Sequence, residues 1–347
     1  MKMIDLRSDT VTQPTAAMRE AMYRAEVGDD YYGEDSTVNR LQALAAERIG
    51  KEAALFVASG QMGNLVSILA HCQPGDGVLM GDESHIYRVE VEAAATFGGI
   101  QVRAVPNEPD GTLKPVSLEA AIPGPYVRFP RPKLLLLENT HNRCAGSALT
   151  PAQMDSICAV ARGRGLSIHL DGARVFNAAV SLGVDVKELT RNADSVMFCL
   201  SKGLSAPVGS LLAGSEKFIR RARDKRQMVG GGMRQAGVLA AAGIVALTEM
   251  VDRLAEDHAN ARLLAEGLAE IEGLEVDLRS IQTNIVIFAL VAEHITPAEL
   301  VAGLETEGVR LLAIAPPLLR VVTHHGVERA GIEMAVDAFR RVMEAKD

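Results

Sequence analysis

Seven short apolar runs, at residues 53–58, 77–80, 101–105, 133–137, 166–170, 195–200 and 208–213, alternate with stretches of helical periodicity at 15–26, 36–49, 62–71, 151–162 and 215–223. Few folds accept that alternation. A strand that is apolar on both faces must be covered on both, and a strand followed by a helix and another strand returns parallel to the first. The expected architecture is therefore α/β, a mainly parallel sheet between helical layers. Thr150 and Ser215 stand where side-chain oxygens would cap the last two helices.

Two of the runs end in chemistry. Leu166-Ser167-Ile168-His169-Leu170-Asp171-Gly172-Ala173-Arg174 leads an apolar strand into a carboxylate, with an arginine three residues on. Ser195-Val196-Met197-Phe198-Cys199-Leu200-Ser201-Lys202-Gly203 leads another into a single amine flanked by small residues. Open parallel sheets carry their sites at such strand ends. A lone lysine after a strand is commonly only its exit, but paired with a carboxylate it suits pyridoxal 5'-phosphate. That cofactor needs an amine to form an imine with its aldehyde and an anion to keep its pyridine nitrogen protonated.

With 347 residues the chain suits one large domain and a smaller partner. Residues 234–272 are rich in Ala, Leu and Glu with helical periodicity, broken weakly at Gly243, and are expected to cross between the two. We set the boundary near Val251, giving a large domain over 1–250 and a small α+β domain over 251–347. The latter has strands at 284–290 and 319–322 and an amphipathic helix at 331–345. The net charge is −8, with lysines and arginines scattered, so nucleic acid is not an expected partner. Cys72, Cys144, Cys158 and Cys199 have no paired spacing, which suits free thiols in a reducing cytoplasm. Charges in the first nine residues do not suit a signal peptide, and no apolar stretch has membrane length; a cytoplasmic enzyme is expected.

Further candidates cluster by type. Ser59-Gly60-Gln61-Met62-Gly63-Asn64 follows a strand and opens a helix, so its N–H groups could hold a phosphate or simply make a tight turn. Ser201 could add a hydroxyl to the same phosphate. Gly230-Gly231-Gly232-Met233-Arg234 either delivers an arginine or acts as a hinge. His169 and Asp171 share one strand face, but no third ligand stands at a recognisable spacing, so His169 reads as a core histidine and no metal is expected. His85 follows a strand end and could stack on a flat ring or move a proton. Arg174 and Arg320 are candidates to grip a carboxylate through paired hydrogen bonds.

Read in order, Asp5-Leu6-Arg7-Ser8-Asp9-Thr10-Val11-Thr12, Val27-Gly28-Asp29-Asp30-Tyr31-Tyr32-Gly33-Glu34-Asp35, Glu138-Asn139-Thr140-His141-Asn142, His169-Leu170-Asp171-Gly172-Ala173-Arg174, Leu200-Ser201-Lys202-Gly203-Leu204, Gly230-Gly231-Gly232-Met233-Arg234-Gln235 and Arg320-Val321-Val322-Thr323-His324 resemble the L-threonine aldolases nearly end to end. The resemblance implies the fold-type-I architecture of aspartate aminotransferases and cleavage of L-threonine or L-allo-threonine to glycine and acetaldehyde. It further implies that Lys202 carries the cofactor imine, Asp171 pairs with the ring nitrogen and His85 stacks on the ring. Ser8, in an N-terminal segment of residues 1–14, would hold the substrate carboxylate with Arg174 and Arg320. Gly60 and Ser201 would contact the phosphate, and Arg234 the phosphate of a neighbouring subunit in a homotetramer built from tight dimers.

Three departures from the family pattern bear on the site. Gln61 stands where a threonine is usual in the phosphate loop, Gln227 where a lysine usually precedes Met228, and both suggest weaker cofactor affinity. Arg128 stands where many relatives have a histidine near the substrate hydroxyl. An arginine stays protonated, so either the hydroxyl proton passes to His85 or to water, or the protein prefers another β-substituent, with Arg128 a substrate contact. Two alternatives stay open: a β-eliminating lyase on the same fold that releases ammonia and a keto acid, and a non-catalytic cofactor-binding protein.

Overall fold

The computed structural model describes residues 3–122 and 132–345. All seven apolar runs are strands of one sheet, in the order Ala53–Val57, Ser210–Gly214, Ser195–Cys199, Ser167–Asp171, Pro132–Glu138, Gly77–Gly81 and Gln101–Val105. Ser210–Gly214 runs antiparallel to both its neighbours, and every other pairing in this sheet is parallel. Three of the inner strands are buried along their whole length, which is why they read as unbroken apolar runs.

Helices cover the sheet where the periodicity places them, including Ser36–Ile49, Gly60–His71, Pro151–Gly163 and Glu216–Met228. Thr150 and Gln153 close a reciprocal capping box, and Ser215 Oγ accepts from the Phe218 N–H at 3.2 Å. Ser59 caps Gly60–His71, accepting from the Met62 N–H at 3.1 Å, so this helix begins at the glycine.

One expected feature is displaced. The helical stretch after Arg234 does not break at Gly243, which lies inside the helix Gly237–Glu249; the break falls between that helix and Leu254–Ala269. Gly243 is there for space. A β-carbon at this position would come within 2.8 Å of Leu200 Cδ1 and 3.0 Å of Leu41 Cδ2, so the missing side chain lets the helix close on the core.

Beyond the break, a second apolar core forms around an antiparallel sheet ordered Leu312–Ala315, Leu318–Val322, Ile285–Leu290 and Leu274–Glu275. The amphipathic helix Arg329–Glu344 closes it, with Phe339 edge-on to Phe288 at 5.7 Å. Ile4 and Leu6 belong to this core. Ile4–Asp5 pairs in parallel with Val309–Arg310, and Leu6, fully buried, donates its N–H to Arg310 and accepts from the Val322 N–H, each at 2.8 Å. From that anchorage the chain runs back over the large sheet, carrying Ser8 and Asp9 to the strand ends.

Leu6→Ala is expected to destabilise the protein by about 2–5 kcal/mol, the range for emptying a buried leucine site, measured as a shift of the urea midpoint at constant slope.

Candidate active site

A cleft of about 490 Å³ opens at the carboxyl ends of the parallel strands. It gathers Ser8, Gly60, Gln61, His85, Asp171, Arg174, Ser201, Lys202 and Arg320, residues drawn from both ends of the chain. Lys202 is held by its backbone and left free at its tip. Its carbonyl accepts from Thr12 Oγ1 at 3.0 Å and from the Ser205 N–H at 2.9 Å, while its Nζ has no hydrogen bond or ion pair among the described residues.

The same cleft is lined by the buried carboxylate of Asp171. Its Oδ1 accepts from the Ala173 N–H and its Oδ2 from Asn64 Nδ2, both at 3.0 Å. His169, two residues earlier, is a satisfied core histidine. Ser67 and Ser195 hydroxyls lie 2.9 and 2.8 Å from Nδ1, Asn64 Oδ1 lies 3.2 Å from Nε2, and burial pushes its pKa down to about 3. Such a ring is neutral, with its proton on Nε2 so that it can donate to the amide oxygen.

His85 is fixed from two sides. Its N–H donates to Glu138 Oε2 at 2.6 Å, and its Nδ1 lies 2.7 Å from Glu90 Oε1. The Glu90 hydrogen bond raises the imidazole pKa against the opposing effect of burial, helped by the charges of Glu90, Asp171 and Glu138. Nε2 has no partner among the described residues. Burial pushes the Glu138 carboxyl up, though it also accepts from the Asn142 N–H at 2.8 Å.

At the other end of the cleft lies a buried ion pair. Arg174 donates Nε to Asp9 Oδ2 at 2.6 Å and Nη2 to Asp9 Oδ1 at 2.7 Å, and both side chains are removed from water. Burial opposes ionisation of Asp9, but the Arg174 guanidinium outweighs it and, with Lys202 and Asn284, holds the carboxyl down to about 2. Arg174 thus has a carboxylate already. Among the described residues Arg320 does not: Nη1 donates to Asn142 Oδ1 at 3.2 Å, the same oxygen that Arg174 Nη1 reaches at 3.3 Å, and its buried Nε has no partner there. Burial lowers its pKa, so an incoming anion would meet a poorly solvated cation.

Another end of the cleft is built by the Gly60–His71 helix, whose first N–H groups have no intrahelical acceptor and could take an anion. A β-carbon on Gly60 would lie 2.9 Å from Cys199 Sγ, so only glycine lets the turn settle this close to the strand end. Gln61 is exposed at the same turn. Gln227 lies instead against Gly232, and Arg234 stands outside the cleft, pairing with Asp29 at 3.2 Å and lying 5.1 Å over the Tyr31 ring. Arg128 lies outside the described residues. An unpaired amine, a buried acceptor, an orphaned buried guanidinium nitrogen and an open helix N-terminus together fit pyridoxal 5'-phosphate and an amino acid.

Asp9, Asn64, Glu90, Glu138 and Asn142 are the site residues that the sequence reading does not single out. Asp9, Glu138 and Asn142 sit inside quoted motifs, which is the available signal. Asn64 likewise ends the quoted turn over 59–64, whereas Glu90 lies on a helical turn with nothing local to mark it.

A family model described as beta-eliminating lyase matches residues 5–291. The chain is 46% identical to probable low-specificity L-threonine aldolase 2 of Arabidopsis thaliana, over 99% of this chain and 98% of that one. It is 47% identical to the low specificity L-threonine aldolase of Escherichia coli K12, over 94% and 95%. The solved threonine aldolase of Leishmania major superposes with a TM-score of 0.84 at 21% identity, over 98% of this chain and 99% of that one, a likeness of fold.

Asp9→Asn is expected to cost about 3–5 kcal/mol at pH 7, because it strands the buried Arg174 charge. Since folding lowers the Asp9 pKa from 3.8 to about 2, its ionic contribution is complete above pH 4 and disappears as pH falls through about 2. Urea unfolding of both proteins across this range should give stabilities that converge at the acid end.

Proposed function

This chain belongs to the L-threonine aldolases within the beta-eliminating lyase family, and we propose that its cleft cleaves L-threonine and L-allo-threonine between Cα and Cβ, giving glycine and acetaldehyde. The observation that carries the reading is the unpartnered Lys202 amine in one cleft with the buried Asp171 carboxylate. The cofactor is pyridoxal 5'-phosphate, which when bound supplies an electron sink for the bond being broken.

The chain's own residues divide the remaining work. Lys202 would hold the cofactor through its free amine and Asp171 through the ring nitrogen. The Gly60 turn and Ser201 would take the phosphate, and the exposed Gln61, in place of a hydroxyl, weakens that grip. Arg320, with an unfilled buried donor, takes the substrate carboxylate with Ser8 and the remaining Arg174 nitrogen, Nη1. Fixing the carboxylate fixes the rotation about Cα, and hence which bond stands perpendicular to the ring and breaks. His85 lies over the cleft with Nε2 free and accepts the β-hydroxyl proton, while Glu90 at Nδ1 steadies the imidazolium that forms. Arg128 would contact the β-substituent.

Assembly into a homotetramer of tight dimers is part of the proposal. The exposed Arg234 supports it, being oriented by Asp29 and Tyr31 and available to a neighbouring subunit's phosphate. The four free thiols support a cytoplasmic setting. Among the described residues no helix is long and apolar enough to cross a membrane.

The test is an absorbance spectrum of purified protein before and after L-allo-threonine, with acetaldehyde, glycine and ammonia assayed together. Visible absorbance abolished in Lys202→Ala, with acetaldehyde and glycine formed by the unaltered protein, is the expected result; ammonia and a keto acid without acetaldehyde would replace aldolase by lyase. Arg320→Gln should raise the substrate KM about 10- to 100-fold, the loss of one charge-assisted contact, in steady-state kinetics. Because Glu90 raises the His85 pKa, Glu90→Gln should lower kcat and move the acid limb of kcat/KM to lower pH.

A further inference from the structure

His85, Glu90 and Asp171 place a ring nitrogen and two carboxylate oxygens within 4.8 Å of one another, and both carboxylates are buried. Two acidic groups gathered this closely away from water need donors to fix them. One is Asn64, buried at 1% exposure, whose Nδ2 donates to Asp171 Oδ2 at 3.0 Å and to Glu90 Oε2 at 3.3 Å. Its orientation is decided by its surroundings: the carboxylates can only accept, so the amide nitrogen must face them, and the amide oxygen must face His169 Nε2 at 3.2 Å.

We infer that Asn64 is a positioning residue that sets the acceptor geometry of Asp171 and Glu90 at once. It thereby couples the carboxylate that would pair with the cofactor's ring nitrogen to the group that orients His85. The inference rests on the site reading above, in which Asp171 and His85 serve the cofactor.

The amide is backed by a polar seam. Asn64, Ser67 and His71 recur along one face of the Gly60–His71 helix, whose other buried residues are mainly apolar, and they meet His169 and Ser195 of the sheet. Ser195 Oγ lies 2.8 Å from His169 Nδ1 and 2.8 Å from His71 Nε2. The seam ends at His71, stacked on Phe218 at 4.6 Å. The side-chain polar atoms of Asn64, Ser67, His169 and Ser195 all have partners, so the Asn64 amide cannot turn over without breaking the contact to His169. A network of this kind under a carboxylate does for Asp171 what outer-shell hydrogen bonds do for ligands generally: it fixes the rotamer and the lone-pair direction.

The test uses full-length Asn64→Leu, which removes the donors at similar volume, with Asp171→Asn as a control. Cofactor affinity is measured by titrating the apo-protein with pyridoxal 5'-phosphate, the pH midpoint of the visible band is recorded, and kcat and KM are measured separately. Asn64→Leu is expected to weaken cofactor binding about tenfold, to move the pH midpoint, and to lower kcat more than KM changes. A folded Asn64→Leu protein with unaltered affinity and midpoint, while Asp171→Asn is crippled, overturns the role of Asn64. An Asp171→Asn protein with normal binding and spectrum overturns the site reading itself. If Asn64→Leu does not fold, Asn64→Asp preserves the shape and adds a third buried carboxyl; it should weaken binding further, and normal binding there overturns the inference equally.

Discussion

Everything at the arginine end of the cleft hangs on the ion pair between Asp9 and Arg174. Arg174 comes from the turn after a central strand of the large sheet, and Asp9 from the N-terminal segment that is rooted in the second core through Leu6. Asn284, at the start of a strand in that second core, donates to the same carboxylate at 3.2 Å. Three parts of the chain thus converge on one acid. Such a pair is expensive to bury and strongly destabilising to break, so its value is organisational: it requires the N-terminal segment, the large sheet and the second core to be in register together.

That arrangement gives the two arginines different chemistry from residues of the same type. Arg174 is neutralised within the fold and acts mainly as a fixture, sharing the Asn142 oxygen with Arg320. Arg320 keeps an unsatisfied buried donor and a cation held from water, which is the state in which a guanidinium binds a carboxylate most strongly. The groups proposed to handle the proton are separated from the proposed anion site. His85 and Glu90 come from the turn and helix after another strand, so binding and proton transfer are built on different elements of one sheet edge.

The sheet was legible because burial on both faces writes itself into consecutive residues, as in Ser195–Cys199. Lys202 and Asp171 were legible because each ends such a run. Asn64 and Glu90 were not, since a polar residue on a helical turn looks the same whether it faces water or a buried carboxylate. Asp9 finds its partner 165 residues away, a distance that no local pattern encodes. Gly243 misled for the same reason: a glycine in a helix reads as a weak point, and only the leucines packed against it reveal that it is a contact surface.

The pairing of Ile4–Asp5 with Val309–Arg310 has a consequence for biosynthesis. Ser8 and Asp9 are made before Asn284, which steadies Asp9 and is translated 275 residues later, and the strand that seats the segment comes later still. A nascent chain that has already assembled its seven-stranded sheet would therefore display Lys202 and Asp171 while the amino-acid seat beside them stays unbuilt. The carboxylate site proposed for Arg320 therefore cannot be completed before the strand Leu318–Val322 has been made.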